Sequence, residues 1–514
     1  MTTADVVVVG GGIAGLAAAW ELATGSPSRR VVLLEAEDRL GGKVQTSAFA
    51  GLALDAGPDA FLARVPAAAQ LAREVGLGDD LVAPGTGHAW LWARGRLRRL
   101  PTGLVLGVPV DFAALARSRV LPVAATARAA LDPLLPGRPV GPDDDVSVGW
   151  LVRRRMGRGV QLDLVDPLLG GINAGHTDGL SAAVAAPQLL AAARREASLV
   201  RALRTSGTGG TASGAVVQGP PGAGRRAGAG SDMAGLSVAH EREASPVFLT
   251  VRGGLGRLVG ALADGLVARG ATVRTGTAVT GLDRTAEGWR VRFRSPRPAA
   301  GGGGGDGAGG GDGDGAVDAG AVVVACPAVA LVTAVSPGAG VQLGAIEWAS
   351  VALVSLAYRN ADAPHWDGSG FLVPRREGRF VTAASWVGQK WPHLAVPGVV
   401  TVRASAGRVD DTRPDELDDD ELVAAVHADL VASMGLRAGP IEARVSRWRH
   451  AFPQYGVGHL GRVERMERQL AEDAPGVVLA GAALRGVGLA TCIAGGRAAA
   501  AAARAYLDAV RAGR

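Results

Sequence analysis

Six residues near the start of the chain, Gly10, Gly11, Gly12, Ile13, Ala14 and Gly15, have the types and spacing that bring backbone against a pyrophosphate. In such a G-x-G-x-x-G set the first glycine permits a tight turn, the second lets the chain approach the phosphates, and the third lets a helix pack closely on a strand. Free N–H groups at the helix start then attract the phosphate charge. Glu35 follows 20 residues after Gly15, where a carboxylate can accept hydrogen bonds from both hydroxyls of a ribose. These residues predict a dinucleotide site. Candidates for proton transfer are fewer: His176 and His459 are tempting bases, but nothing in the sequence ties either to the nucleotide, and a structural role is the plainer reading. Cys326 and Cys492 stand far apart with no C-x-x-C and no histidine pair, so neither a disulfide framework nor a metal site is expected.

The elements that must hold this constellation are legible around it. Val6 to Val9 form the unbroken β-branched run of a strand buried on both faces of a parallel sheet, Ile13 to Ala23 are helix formers, and Arg30 to Leu34 resume the strand pattern. The result is a βαβ unit. Further on, residues 289–295, 321–326, 351–358 and 398–403 read as strands, while 416–434 and 494–510 read as helices, the last just after a glycine turn. Residues 205–235 and 301–320 are low-complexity stretches rich in Gly and Ala, which cannot bury enough apolar surface to offset ordering and read as mobile loops. The second lies between two strand-like runs and reads as an overgrown hairpin loop rather than a domain boundary.

Of 514 residues, 48% are hydrophobic, which excludes wholesale disorder and allows a large core. The chain has 54 basic residues, yet only Lys43 and Lys390 are lysines. The net charge of +6 traces to residues 90–204, where 16 Arg face 9 Asp and Glu. That stretch is also rich in Leu, Val and Ala, a pairing that suits a membrane surface or an anionic, greasy ligand as well as a solvated helical face. No nucleic-acid motif accompanies it. The N-terminus enters Asp5 and Val6 without a basic region or cleavage site, and no apolar run reaches the ~18 residues of a spanning helix, so a cytoplasmic protein that is neither exported nor integral is expected.

After Glu35 the run AEDRLGGKVQT, with Arg39, Gly41, Gly42 and Thr46, resembles the second signature of the FAD-dependent amine oxidase and protoporphyrinogen oxidase superfamily. A nicotinamide enzyme has no need of this element, so the resemblance implies FAD. LDAGPDAFLARVP (54–66) is similar to the segment lining the flavin ring in bacterial protoporphyrinogen and coproporphyrinogen oxidases, and PLLGGINAG (167–175) to their substrate-side loop. VRGGLGRLVGALADGL (251–266), AFPQYGVGH (451–459) and LAGAALRGVGLATCIAGG (479–496) continue the match in family order.

The resemblance implies a mixed α/β fold: a Rossmann-like FAD-binding domain, a β-sheet substrate domain and a helical subdomain able to meet a membrane. The expected division gives residues 1–85, 246–340 (with an insertion at 299–320) and 446–514 to FAD binding, 86–204 to the helical subdomain, 205–245 to a loop and 341–445 to the substrate sheet. FAD contacts are expected at Gly10, Gly11, Gly12, Ile13, Ala14, Gly15, Glu35, Ala36, Arg39, Gly42 and Lys43. Others are expected at Gly57, Pro58, Asp59, Ala60, Val279, Trp448, Gly481, Ala482, Val487, Gly488 and Leu489, the last three facing the ring. Unpaired N–H groups of the helix after Gly488 can stabilise an electron-rich flavin edge.

The implied substrate is coproporphyrinogen III or protoporphyrinogen IX, the former preferred because the segments look like the soluble Gram-positive type. Arg64 is the expected propionate anchor, and Asn173, Ala174 and Gly175 the substrate loop. In the family three hydride transfers to flavin N5 remove six electrons, and molecular oxygen reoxidises the flavin with release of hydrogen peroxide. A downstream ferrochelatase and peripheral contact with the inner face of the membrane are implied partners. Leu484-Arg485 and Ala490-Thr491 depart from the family pattern, which bears on substrate contacts there. Two alternatives stand beside this reading: an amine oxidase or carotenoid desaturase on the same fold, and a non-catalytic porphyrin-binding flavoprotein. Against the amine oxidase, none of the three tyrosines, Tyr358, Tyr455 and Tyr506, is near Gly486 in sequence.

Overall fold

The computed structural model describes residues 2–205, 246–295 and 314–513. Most of both low-complexity stretches lies outside the described residues. Strand β1 (Thr2–Val9), helix α1 (Ile13–Thr24) and strand β2 (Val31–Leu34) form the expected opening unit. β1 runs parallel to β2 on one side and to the strand Asp314–Val324 on the other. With neighbours on both edges and helices on its faces, its Val run is buried throughout.

These strands belong to a seven-stranded sheet ordered Thr272–Arg274, β2, β1, Asp314–Val324, Trp289–Arg294, Ala278–Arg284, with Val477–Leu479 parallel to the end of Asp314–Val324. The strand after the Gly-rich insertion begins at Asp314, not at Ala321, so the last part of the expected loop is strand. The reason is pairing on both edges: Val317 lies opposite Thr2 of β1 and Val291 of the hairpin partner, and Arg290 grips Asp318 at 2.8 and 3.0 Å. Ladder hydrogen bonds thus order a stretch whose own side chains would not.

The final helix also starts earlier than its composition indicates. It spans Leu489–Ala512, so Leu489 to Ile493 belong to it as well as the expected 494–510. A Cβ on Gly496 would fall well inside 3.0 Å of the Ala14 carbonyl oxygen, and the glycine lets this helix cross α1 in direct backbone contact.

A second seven-stranded sheet is ordered Glu442–Pro453, Trp348–Arg359, Val399–Ala406, Val381–Trp386, Gly370–Leu372, Trp90–Trp92, Leu97–Arg99. Its last two strands come from the stretch expected to be helical, and Glu442–Pro453 crosses the expected boundary at 445 while staying within this sheet. Side chains alternate: Val402 and Ala404 pack toward the helix Asp419–Met434, while Arg403 points to the opposite face. That helix opens on a reciprocal cap, Asp418 with Glu421, and ends at Gly435 in the left-handed region.

The helices between residues 112 and 205, including Phe112–Ser118, Val123–Ala130, Val148–Met156, Pro187–Arg195 and Leu199–Thr205, pack around a separate core of Leu115, Leu151, Val152, Leu189 and Val200. Inside it Arg155 Nε donates to Asp132 at 2.7 Å, and Asp132 also accepts from Ser198 and the Val200 N–H. Among the described residues no helix is long and apolar enough to cross a membrane.

Candidate active site

The Gly10–Gly15 turn sits where β1 feeds α1. Gly10 adopts φ +101°, and a Cβ on Gly15 would fall well inside 3.0 Å of the Gly10 carbonyl oxygen, so turn and helix are in backbone contact. Gly12 is the opposite case: no atom lies within 4 Å of where its Cβ would be, and as the cap of α1 it offers no side chain to the first N–H groups. A phosphate can therefore reach them. The second glycine pair folds onto the first, with Gly41 N–H donating to the Gly11 carbonyl at 2.8 Å and Gly42 stacked on Gly12.

Glu35 ends β2 with its carboxylate fixed by the Gly11 N–H at 2.6 Å and the Glu37 N–H at 2.8 Å. Each oxygen keeps a free lone pair for a ribose hydroxyl. The Thr277 N–H bonds the Glu35 carbonyl at 2.7 Å, which brings the strand carrying Val279 alongside; Arg39 pairs with Glu37 at 3.4 Å beyond Ala36. A solvent-open cleft of about 470 Å³ continues from here, lined by Lys43, Ala325, Cys326, Trp348 and residues 479–484. Open glycine backbone, an uncapped helix start and a carboxylate fixed at the end of the strand fit an adenine dinucleotide.

Just beyond the cleft-lining residues 479–484 in sequence, the C-terminal helix begins at Leu489 behind Gly488, again with no side-chain cap. Gly481 and Gly486 hold φ +111° and +143°, values open to glycine, and they shape the turn that carries Ala482 and leads to Val487. Three side chains brace that turn. Tyr455 Oη donates to the Ala482 carbonyl at 2.7 Å, His459 Nε2 to the Leu484 carbonyl at 2.8 Å, and Arg485 makes two 2.6 Å bonds to Glu467. Burial drives the Tyr455 hydroxyl well above its ordinary pKa and holds His459 below its own, so both are neutral structural donors. Tyr455 thus stands beside a turn from which the sequence separates it. Burial also lowers the Lys43 ammonium and raises the Cys492 thiol, in the helix's first turn, to about 11.

The segment expected to face the flavin, Gly57, Pro58, Asp59 and Ala60, packs directly against the second sheet. The Asp59 carboxylate is engaged by Lys390 Nζ at 2.8 Å, Trp391 Nε1 at 3.2 Å and Arg403 at 3.3 Å, and Trp448 Nε1 donates to the Ala56 carbonyl at 2.8 Å. Trp448 packs on Gly57, whose α-carbon touches the Lys43 carbonyl where a side chain would stand.

Of the residues expected on the substrate side, Arg64 is exposed at the entry to the helix Pro66–Glu74, its guanidinium crowded enough that desolvation lowers its pKa to about 10. With the Gln188 amide oxygen turned toward it, Arg64 donates to that oxygen at 2.8 and 3.2 Å. Asn173 is buried, its amide donating to the Leu169 carbonyl at 2.8 Å. Its own carbonyl accepts from Gln454 at 2.9 Å, the Ala174 carbonyl from the Val409 N–H at 2.8 Å, and the Gly175 carbonyl from Arg375 at 3.2 Å. The loop follows a π-helical stretch, Gln161–Gly170, whose wider winding accommodates Pro167. Asp163 in that stretch is raised to about 6 by burial against the opposing pull of Arg376, its ion-pair partner from the turn Arg375–Glu377 between two strands of the second sheet. His176 pairs with Asp410 at 3.0 Å.

Sequence reasoning missed Lys390, Arg403 and the bridging pair Gln454 and Tyr455. The rarity of lysine was the available signal for the first, since Lys390 is one of two. Nothing local marks Arg403 among so many arginines. Gln454 and Tyr455 lie in a segment singled out only by resemblance, and their contacts join Asn173 to Ala482 across the fold.

A model of the flavin containing amine oxidoreductase family matches residues 13–504. The chain is 31% identical over 508 residues to the coproporphyrinogen III oxidase of Bacillus subtilis, covering 98% of each protein. It is 34% identical over 518 residues to that of Propionibacterium freudenreichii, covering 96% of this chain and 89% of the relative. A crystal structure from Exiguobacterium sp. superposes with TM-score 0.79 at 28% identity over 99% of this chain and 100% of that one.

Proposed function

The chain belongs to the flavin containing amine oxidoreductases, and from that membership we propose that it is an FAD-dependent coproporphyrinogen III oxidase of haem biosynthesis. The end-to-end likeness to relatives of that name carries the reading. Its cofactor is FAD, which when bound supplies the acceptor for hydride leaving the macrocycle.

The protein's part is to hold, orient and exclude. Gly12 and the start of α1 receive the pyrophosphate, Glu35 the adenosine ribose, and Val279 the adenine edge. Val487, Gly488 and Leu489 meet the ring, where the uncapped N–H groups of the C-terminal helix favour negative charge. Arg64 anchors a propionate at the rim of the slot, since a guanidinium recognises a carboxylate through paired donors. Asn173, Ala174 and Gly175 form the substrate wall, with Gln454 and Tyr455 tying it to the turn beside the ring. No side chain is assigned a proton-transfer step; positioning carries the rate.

Molecular oxygen as final acceptor and hydrogen peroxide as by-product complete the proposal. It is tested by aerobic incubation of the FAD-loaded protein with coproporphyrinogen III, protoporphyrinogen IX and a set of amines, read by porphyrin fluorescence and peroxide release. Faster oxidation of coproporphyrinogen III is expected. Preference for protoporphyrinogen IX would move the assignment to that substrate, and amine turnover without porphyrin fluorescence would overturn it.

We also propose a cytoplasmic protein that touches the inner membrane face reversibly. Val123, Leu131, Leu134 and Trp150 are exposed on the arginine-rich helical subdomain, Arg154 lying over the Trp150 ring at 5.0 Å. Co-sedimentation with anionic liposomes at low salt, lost at high salt, is the expected result, and no binding at low salt would remove the proposal. A ferrochelatase that takes up the product is the partner proposed on chemical grounds, to be sought by co-purification.

A further inference from the structure

Arginine supplies all but two of the 54 basic side chains, and the two lysines both meet the segment Gly57 to Asp59. The Lys43 carbonyl oxygen occupies the space a Cβ on Gly57 would need, and Lys390 Nζ bonds the Asp59 carboxylate at 2.8 Å. In a chain so strongly biased to arginine, a lysine presents a compact ammonium that a planar, five-donor guanidinium does not reproduce.

The surroundings of Lys390 give that argument its geometry. Its side chain is 17% exposed, its ammonium lies 5.3 Å from the centre of the Trp391 ring, and it shares Asp59 Oδ2 with the Trp391 indole N–H at 3.2 Å. Arg403 takes the other carboxylate oxygen at 3.3 Å and donates from NH1 to the carbonyls of Asp55 at 3.1 Å and Gly57 at 2.9 Å. Trp448 holds the carbonyl of Ala56 and Arg444 that of Leu54 at 3.3 Å. Four consecutive carbonyls and one carboxylate of segment 54–59 are therefore gripped by donors from the second sheet and the loop after its strand Val381–Trp386. Burial alone would raise the Asp59 carboxyl, but Arg403 and Lys390 more than reverse it and hold it below the usual carboxylate range.

We propose that Lys390 is a positioning residue that requires lysine: with Arg403 it locks Asp59, and through it the flavin-facing segment 57–60, against the bound FAD. Asp59 is on this account an internal counter-ion and not a cofactor ligand. The inference rests on the reading that the flavin ring lies against Gly57 and its neighbours, and it assigns the second sheet a duty toward the cofactor in addition to substrate binding.

The test uses the full-length protein and K390M, K390R, D59N and the double variant D59N/K390M. Each is read by the FAD dissociation constant from flavin fluorescence quenching, the visible circular dichroism of bound flavin, and the thermal midpoint of the FAD-free form. K390M and D59N are each expected to weaken FAD at least about ten-fold and change the flavin dichroism, because K390M leaves Asp59 Oδ2 without its ammonium partner and D59N leaves the Lys390 ammonium without a counter-charge. The double variant is expected to lose less than the product of the two single losses. K390R is expected to resemble K390M. Wild-type affinity and dichroism in K390M would overturn the inference, as would a change confined to the thermal midpoint. A K390R variant indistinguishable from wild type would overturn the requirement for lysine. A wild-type protein that binds FAD but oxidises no porphyrinogen would defeat the functional proposal alone, since none of these readouts uses turnover.

Discussion

Asp55, one residue beyond the clamped Leu54 carbonyl, offers a quantitative check on the electrostatics of the segment. It is 6% exposed, accepts from the Thr46 hydroxyl and from the Leu255 N–H at 3.0 Å, and caps the helix Gly256–Ala268 together with Thr46. Burial, helped by the nearby Asp59, raises its pKa from 3.8 to about 6 despite those donors and Arg403. At roughly 1.4 kcal/mol per pKa unit, the ionised form costs the fold about 3 kcal/mol relative to the protonated one. The folded pKa is raised, so this stability is present in full below pH 3.8 and lost as pH rises through about 6. Asp55→Asn is neutral at every pH and keeps an oxygen for Thr46 and Leu255. A fixed offset is expected from the amide hydrogens, but the difference between variant and wild type should shift in the variant's favour by about 2 kcal/mol between about pH 4 and pH 7. Urea unfolding followed by tryptophan fluorescence across that range measures it. FAD occupancy at neutral pH should stay at the wild-type level, because Arg403 grips the Asp55 carbonyl rather than its side chain. A difference that is flat with pH, or that moves against the variant as pH rises, would refute the reasoning.

Other substitutions test the remaining parts of the site. Gly15→Ala places a methyl group into the Gly10 carbonyl, a backbone clash worth about 1–3 kcal/mol, and should yield protein with little bound flavin by absorbance. Retention of full flavin content would show that α1 can shift without harm. Tyr455→Phe removes the hydroxyl that satisfies Ala482 and should cost about 1–3 kcal/mol in urea unfolding while altering the flavin dichroism. An unchanged spectrum would separate Tyr455 from the ring turn. Arg64→Gln should raise KM for coproporphyrinogen about ten-fold or more with kcat nearly preserved. A fall in kcat at constant KM would argue against a propionate anchor.

The nucleotide end of the fold was legible because its causes are local. Glycine at three spaced positions, a buried Val run and a carboxylate at the end of β2 are dictated by backbone sterics and by the two-residue period of a strand, and each occupies the place its type demands. The strand Asp314–Val324 and the start of the final helix were misjudged where composition ran against context. Ladder bonds on two edges order a Gly- and Asp-rich run, and Gly496 is a helix-crossing residue only because α1 lies against it.

Residue types and spacing alone pointed to a dinucleotide site at a Gly-rich turn and Glu35, and resemblance extended that expectation to FAD and a porphyrinogen. Which polar groups remain free to act was decided by the tertiary structure. Lys390 reaches Asp59 from 331 residues away, Arg403 spans two carbonyls of a segment it never neighbours in sequence, and Tyr455 meets Ala482 across two elements. A local pattern specifies a turn or a strand, but the partner that satisfies a buried charge or carbonyl is whatever the packed fold brings within hydrogen-bonding distance.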